Sequence, residues 1–241
     1  MILKTRDATP DTLARLEREA RAEPDPVRRA ALAGAASRLR ADTTSADACA
    51  LIDAGFADTP RWAVLHDLRL ASSAGTVRLN HLLVSDRLEV ACVDTRFLRR
   101  GLEADASGAV RAFSRFGTVP VASPLAKAAR DLRTLRATLA GIDLPRGRLG
   151  RRLRPTLRAL VLTHPSLRVG VARETCGDGV EVLSADALAP VLWRDGPAVG
   201  APARPSGREP ARLSREALED ACARIAALHR PTVPEALLGA A

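Results

Sequence analysis

Residues 10 to 40 carry apolar side chains at helical spacing on both sides of a breaker, Glu23-Pro24-Asp25-Pro26. Leu13, Leu16 and Ala20 share a face of the first piece, and Val27, Ala31, Leu32 and Leu39 share a face of the second. The pattern predicts an antiparallel helical hairpin over residues 1 to 43, followed by a shorter helical run from about Ala46 to Gly55. At Trp62 the period falls to two. Strict alternation puts Trp62, Val64, His66, Leu68 and Leu70 on one face, with Asp67 and Arg69 opposite and a turn at Ser72 to Gly75. Val77 to Val84 and Leu88 to Phe97 are the next strands. The latter carries Val90, Cys92 and Asp94 on one face and Ala91, Val93 and Phe97 on the other, as a central strand would.

Short strands are expected on either side of Ala106-Ser107-Gly108. Ser123-Pro124 has the form of a helix start, and Leu125, Ala128, Ala129, Leu132, Leu135 and Leu139 then recur at helical spacing up to Gly141. Strand character returns at Leu157 to Thr163 and Leu167 to Ala172, and Ser184 is placed to cap a short helix reaching Leu192. The glycine- and proline-rich stretch within 194 to 212 reads as a linker, and 213 to 241 as a final helix and tail. Residues 44 to 193 then form an α/β domain, a mixed sheet flanked by helices, with the hairpin before it and the last helix after it.

A chain of 241 residues can bury a core without disulfide or metal staples. Its four cysteines form no C-x-x-C pair, and the N-terminus turns charged at once, so the expectation is a soluble cytoplasmic protein with reduced thiols and no membrane partner. Net charge is +9, and only Lys4 and Lys127 among its 37 cations are lysines. Aromatic residues make up 2% of the chain, which leaves few platforms for stacking single-stranded bases.

Charge therefore has to carry any nucleic-acid contact. Eight arginines and no acid lie between Asp143 and Glu174, among them Arg151, Arg152 and Arg154, and guanidinium forks suit phosphate oxygens. Lys127, Arg130, Arg133 and Arg136 occupy the polar face of the helix starting at Ser123. Nucleic acid is one expected partner, an acidic protein surface another, and a solvated basic face is the plain alternative. His66 and His81 sit among apolar neighbours outside any nucleophile motif and read as structural histidines satisfied by backbone groups.

Several motifs agree in order with a known family. Trp62-Ala-Val-Leu-His-Asp-Leu-Arg69, Leu79-Asn-His-Leu-Leu-Val84, Val93-Asp-Thr-Arg-Phe97, the hairpin around Gly108 and Ser123-Pro-Leu before a helix resemble the nuclease-related domain (NERD) family of the PD-(D/E)XK nuclease superfamily. The similarity runs on through Leu144-Pro145, Leu160-Val-Leu-Thr-His-Pro165 and His229-Arg-Pro231. It implies a restriction-endonuclease-like sheet and a Mg²⁺ site built from a Gly-Glu pair on the helix before the first strand, an Asp-His pair on the second strand and Glu-x-Lys on the third.

Carried over by position, Asp94 stands for the glutamate, Arg96 for the lysine, Asn80 for the aspartate and His81 for its neighbour. Ser45 falls at the helix glutamate, with Asp47 the nearest acid. Every catalytic position is substituted. Asn80 and Ser45 remove anionic ligands, and Arg96 does not deprotonate. Asp94 and Asp47 are the remaining metal-ligand candidates. The resemblance thus implies a degenerate site with no cofactor, in a protein that keeps nucleic-acid binding or a scaffold role. An active Mg²⁺-dependent phosphodiesterase, with Asp47 or Asp67 supplying the missing acid, and a basic protein-interaction module are the alternatives.

Overall fold

The computed structural model describes residues 1–5, 10–41, 45–73, 75–97, 101–105, 109–114, 117–145, 153–166, 169–171, 179–193 and 212–230. A three-residue strand, β1 (Ile2–Lys4), comes first. Helices α1 (Pro10–Ala22) and α2 (Pro26–Ala41) flank the Pro-rich breaker and pack on each other through Leu16, Leu32, Ala35, Ala36 and Leu39. Val27, expected in that seam, is 77% exposed instead, because it lies in the first turn of α2, where Asp25 Oδ1 caps its backbone N–H. Helix α3 (Ser45–Phe56) leads into three long strands, β2 (Trp62–Ser72), β3 (Gly75–Ser85) and β4 (Glu89–Phe97), which form an antiparallel meander.

The chain next forms β5 (Leu102–Ala104), β6 (Val110–Ser114) and β7 (Gly117–Val121), then the crossover helix α4 (Pro124–Ala140) and β8 (Thr156–Thr163). The start of α4 is the one its sequence predicts: Ser123 Oγ accepts the Ala126 N–H at 3.2 Å, with Pro124 at the first position. Strands β9 (Val169–Gly170) and β10 (Val180–Ser184), helix α5 (Leu188–Trp193) and helix α6 (Arg215–Ala226) complete the described elements. Ser184 stands before a 3-10 turn leading into α5 but makes no side-chain cap bond. The linker expected at 194 to 212 lies, apart from Arg212, outside the described residues, as does the turn at 106 to 108.

The protein is α/β, with a mixed six-stranded sheet in the order β1-β2-β3-β4-β8-β10. Strand β8 runs parallel to β4, which α4 allows by crossing one face of the sheet. Three strands escape the sequence pattern: β7, β10, and β1, which joins β2 in parallel from ahead of the helical hairpin. The central sheet thus draws on chain outside 44 to 193, and α6 also packs into its core through Leu218, Ala221, Cys222 and Ile225. Strands β7-β6-β5-β9 form a second, smaller sheet, whose Leu102, Val110 and Ala112 join the same core.

The two faces of the main sheet bury different cores. On the α4 and α6 side, Val90, Cys92, Ala159 and Val161 meet Leu125, Leu132, Leu135 and Leu139. On the α3 and α5 side, Ala91, Val93, Leu160 and Leu162 meet Ile52, Phe56, Leu188 and Leu192. Phe97, assigned with Ala91 and Val93 by alternation, instead packs against the α4-side core, beyond a register shift between Asp94 and Phe97. Gly179, at φ +77°, turns the chain into β10, and a Cβ there would meet Leu132 Cδ2 at 3.2 Å and the Leu157 carbonyl at 3.3 Å.

Alternation in the first hairpin also breaks. Trp62 and Val64 face α3, as the period predicts, but Leu68 and Leu70 share the α4-side core with Ala63 and Leu65. On β3 the change is mirrored, with Leu82 and Val84 on the α4 side together with Val77 and Leu79. Sidedness reverses between His66↔His81 and Leu68↔Leu79, where Asp67 adopts φ +49°. Lys4 Nζ donates to the carbonyls of both His66 (3.0 Å) and Asp67 (3.1 Å), two successive acceptors that a regular strand would aim to opposite sides. The Asp67 carboxylate pairs with Arg78 at 3.5 Å.

Two stability measurements test this packing. Leu132→Ala should cost about 2–5 kcal/mol in denaturant melts, as a large-to-small change at a site walled by α4, β8 and Gly179. Lys4→Met should cost about 1–3 kcal/mol by leaving the His66 and Asp67 carbonyls short of a donor, and Asp67→Gly in that background should recover part of the deficit by relieving positive φ. Melts of Lys4→Met that match wild type would show that the reversal does not depend on the ammonium.

Candidate functional site

Along the chain α3 is followed by β2, by β3 with Asn80 and by β4 with Asp94 and Arg96. Asn80 and Asp94, both half-buried, line one small cavity on the α4 side of the sheet, with Arg78, Lys127 and Asp131 also in its wall. Its volume is about 20 Å³, room for about one water molecule. Lys127 and Asp131, one turn apart on α4, form a close ion pair there. Lys127 therefore belongs to the cavity and not to the outer basic face.

Asp47, the second metal-ligand candidate, is exposed on α3, across the sheet from the cavity that Asp94 lines. Asp67 is engaged with Arg78. The side chains of Ser45 and Arg96 lie outside the described residues, although both positions fall in their expected elements. The remaining oxygen donors are Asp94, the neutral amide of Asn80, and an Asp131 neutralised by Lys127. A hard divalent ion asks for several anionic oxygens and space for its waters, so this donor set does not fit Mg²⁺.

The basic tract is only partly on the surface. Arg154 is exposed, but Arg158 is 4% exposed and its guanidinium meets Glu89 at 2.7 Å. Burial raises the Glu89 pKa, against the opposing pull of Arg158. Arg151 and Arg152 lie outside the described residues. Arg130, Arg133 and Arg136 are exposed on α4, and Arg136 and Arg154 line a single groove of about 440 Å³ floored by Leu139, Ile142, Leu144 and Leu157. The helix face and the tract thus meet at one place.

On the other face of the sheet lies a cluster whose histidines the sequence alone presents as structural. His66 and His81 are directly opposed across the β2–β3 ladder, 2% and 0% exposed, with Nδ1 atoms 2.7 Å apart and rings nearly perpendicular. Side chains meet both rings where backbone groups were expected. His66 Nε2 meets Asp53 Oδ1 at 2.8 Å, and His81 Nε2 meets Thr95 Oγ1 at 3.1 Å. Asn80 Nδ2 in turn reaches Thr95 Oγ1 at 3.5 Å.

The donors can be assigned from the ends of this chain. A carboxylate only accepts, so His66 Nε2 carries a proton, and with both rings neutral its Nδ1 is the acceptor. His81 Nδ1 must then donate, which leaves His81 Nε2 to accept the Thr95 hydroxyl proton. The Asn80 amide donates to Thr95. Every link runs one way, from the α4-side cavity through the sheet to Asp53 on α3. Cys49, half-buried one helical turn before Asp53, completes the cluster: one donor atom from each of Cys49, His66 and His81 lies within 4.8 Å of the other two.

Family models, curated proteins and solved structures yield no match to the chain.

Cysteine reactivity distinguishes the cluster thiol from the core thiols. Burial pushes Cys92 and Cys222 up to about 12, so neither forms thiolate near neutral pH. Native alkylation followed by peptide mass spectrometry should modify Cys49 while Cys92 and Cys222 react only after denaturation. Labelling of Cys92 in the native state would contradict the closed α4–sheet seam.

Proposed function

We propose that the protein is a NERD-like member of the nuclease superfamily that has lost phosphodiester cleavage and holds nucleic acid by charge. The observation that carries this reading is the Asn80–Asp94 cavity, whose wall also holds Lys127 in an ion pair with Asp131. Where the family resemblance implies a dication, this chain lines the cavity with a cation of its own. A lysine with Asp131 as counter-ion neutralises the cavity, and the cavity has no room for a phosphodiester. The exposed arginines of α4 and Arg154 give the reading its binding surface. Such binding is sequence-tolerant, because arginines on phosphates read no base edges.

Fluorescence anisotropy with a short duplex, repeated across a salt series, tests the surface. The Arg130→Ala, Arg133→Ala, Arg136→Ala triple variant should reduce the log–log salt slope by about 0.9 for each phosphate that no longer meets a guanidinium. An unchanged slope, or no binding by the wild type, would remove nucleic acid as the partner and leave an acidic protein surface as the better reading. A nicking assay with Mg²⁺ or Mn²⁺ should stay at background. Metal-dependent nicking abolished by Asp94→Ala would overturn the loss of catalysis.

A further inference from the structure

We infer that Cys49, His66 and His81 form a transition-metal site on the α3 face, distinct from the α4-side cavity and independent of the nuclease reading. Three unrelated segments bring the donors together: α3 supplies a thiol, β2 one imidazole and β3 the other. The ligand atoms follow from the hydrogen bonds. Both Nε2 atoms are held by Asp53 and Thr95 and the two Nδ1 atoms meet each other, while one ring nitrogen of each histidine lies within 4.8 Å of the Cys49 sulfur, so the Nδ1 atoms are the ones left to take a metal. Asp53 holds His66 as the outer carboxylate of a metal-ligating histidine does, fixing the ring and raising its basicity.

One sulfur and two nitrogens suit a borderline or soft ion of the Zn²⁺ type, and not Mg²⁺ or Ca²⁺. Three protein ligands leave a tetrahedral ion one open position, and the half-buried Cys49 marks the side from which it is reached.

Without metal the 2.7 Å Nδ1···Nδ1 contact is a hydrogen bond carrying one proton. Two imidazole nitrogens on a tetrahedral ion at about 2.0–2.1 Å stand about 3.3 Å apart, so the rings must separate by roughly 0.6 Å. Binding also rearranges protons. The His81 proton moves from Nδ1 to Nε2, where Thr95 Oγ1 accepts it, and the Thr95 hydroxyl turns its own proton away. Cys49 gives its thiol proton to solvent as the metal–sulfur bond forms. The net change is one metal ion bound and one proton released, with no oxidation.

The test uses the full chain, reduced and stripped of metal with a chelator, then titrated with Co²⁺ by absorption and with Zn²⁺ by calorimetry. One equivalent of Co²⁺ should give the intense visible bands of a tetrahedral site together with a near-ultraviolet thiolate-to-metal charge-transfer band. Cys49→Ser should abolish that band and weaken Zn²⁺ by roughly tenfold or more, with circular dichroism unchanged, while Cys176→Ser keeps both. Asp53→Asn should weaken Zn²⁺ by about 10- to 100-fold. Because replacing either buried histidine risks the fold, the imidazoles are read in the wild type by X-ray absorption, with nitrogen at about 2.0 Å and one sulfur at about 2.3 Å. A wild type without the charge-transfer band, a band that survives in Cys49→Ser, or a metal shell without imidazole would each overturn the site.

Discussion

The reversal of sidedness in the β2–β3 hairpin is the constraint on which both candidate sites depend. A strand aims successive side chains to opposite faces, so an uninterrupted β2 would send His66, Leu68 and Leu70 to one side. That side is the α3 core, which already holds Trp62, Val64 and Leu83. By turning over at Asp67, the hairpin gives its His66–His81 end to α3 and its Leu68–Leu79 end to the core under α4, α6 and the second sheet. An aspartate at φ +49° costs about 1–3 kcal/mol, and the Lys4 ammonium, delivered by the short parallel strand β1, stabilises the two carbonyls that the turnover points the same way.

This is also where the sequence stops being legible. The three strands of the meander, the crossover helix with its Ser123 cap, and the helical hairpin follow from period and turn chemistry. So does the assignment of Leu125, Leu132, Leu135 and Leu139 to the buried face of α4. A two-fold pattern read through Asp67 carries no sign of a reversal, because Trp62 and Val64 before it and Leu68 and Leu70 after it are apolar in the same phase. Strand β1 is hidden for a related reason: three residues beside a charged run offer no period, and their place is set by pairing with β2 some sixty residues later.

The histidine cluster is partly readable. Ser72 pairs with Gly75 across the hairpin, and the same register places His66 opposite His81. Cys49 and Asp53 are four apart on a predicted helix and so share a face. What the sequence lacks is the docking of that helix over that pair of strands, a long-range fact. Arg158 makes the converse point, since a charge tract counted in sequence includes a guanidinium that the fold commits to Glu89 in the core.

Asn80 ties the two faces together. As an aspartate, the side chain would offer Thr95 only acceptor oxygens, and the Thr95 hydroxyl would turn towards it. His81 Nε2 would then have to donate to Thr95, leaving His81 Nδ1 as an acceptor opposite the acceptor Nδ1 of His66, with only their 2.7 Å separation between them. The amide, a donor at that place, lets each proton in the chain point towards Asp53. An amide at position 80 therefore leaves the cavity beside Asp94 without a second carboxylate and, with both rings neutral, lets the buried imidazole pair stay satisfied. A cavity poor in anionic oxygens on one side of the sheet and a proton-ordered pair on the other both follow from one side chain being an amide and not a carboxylate.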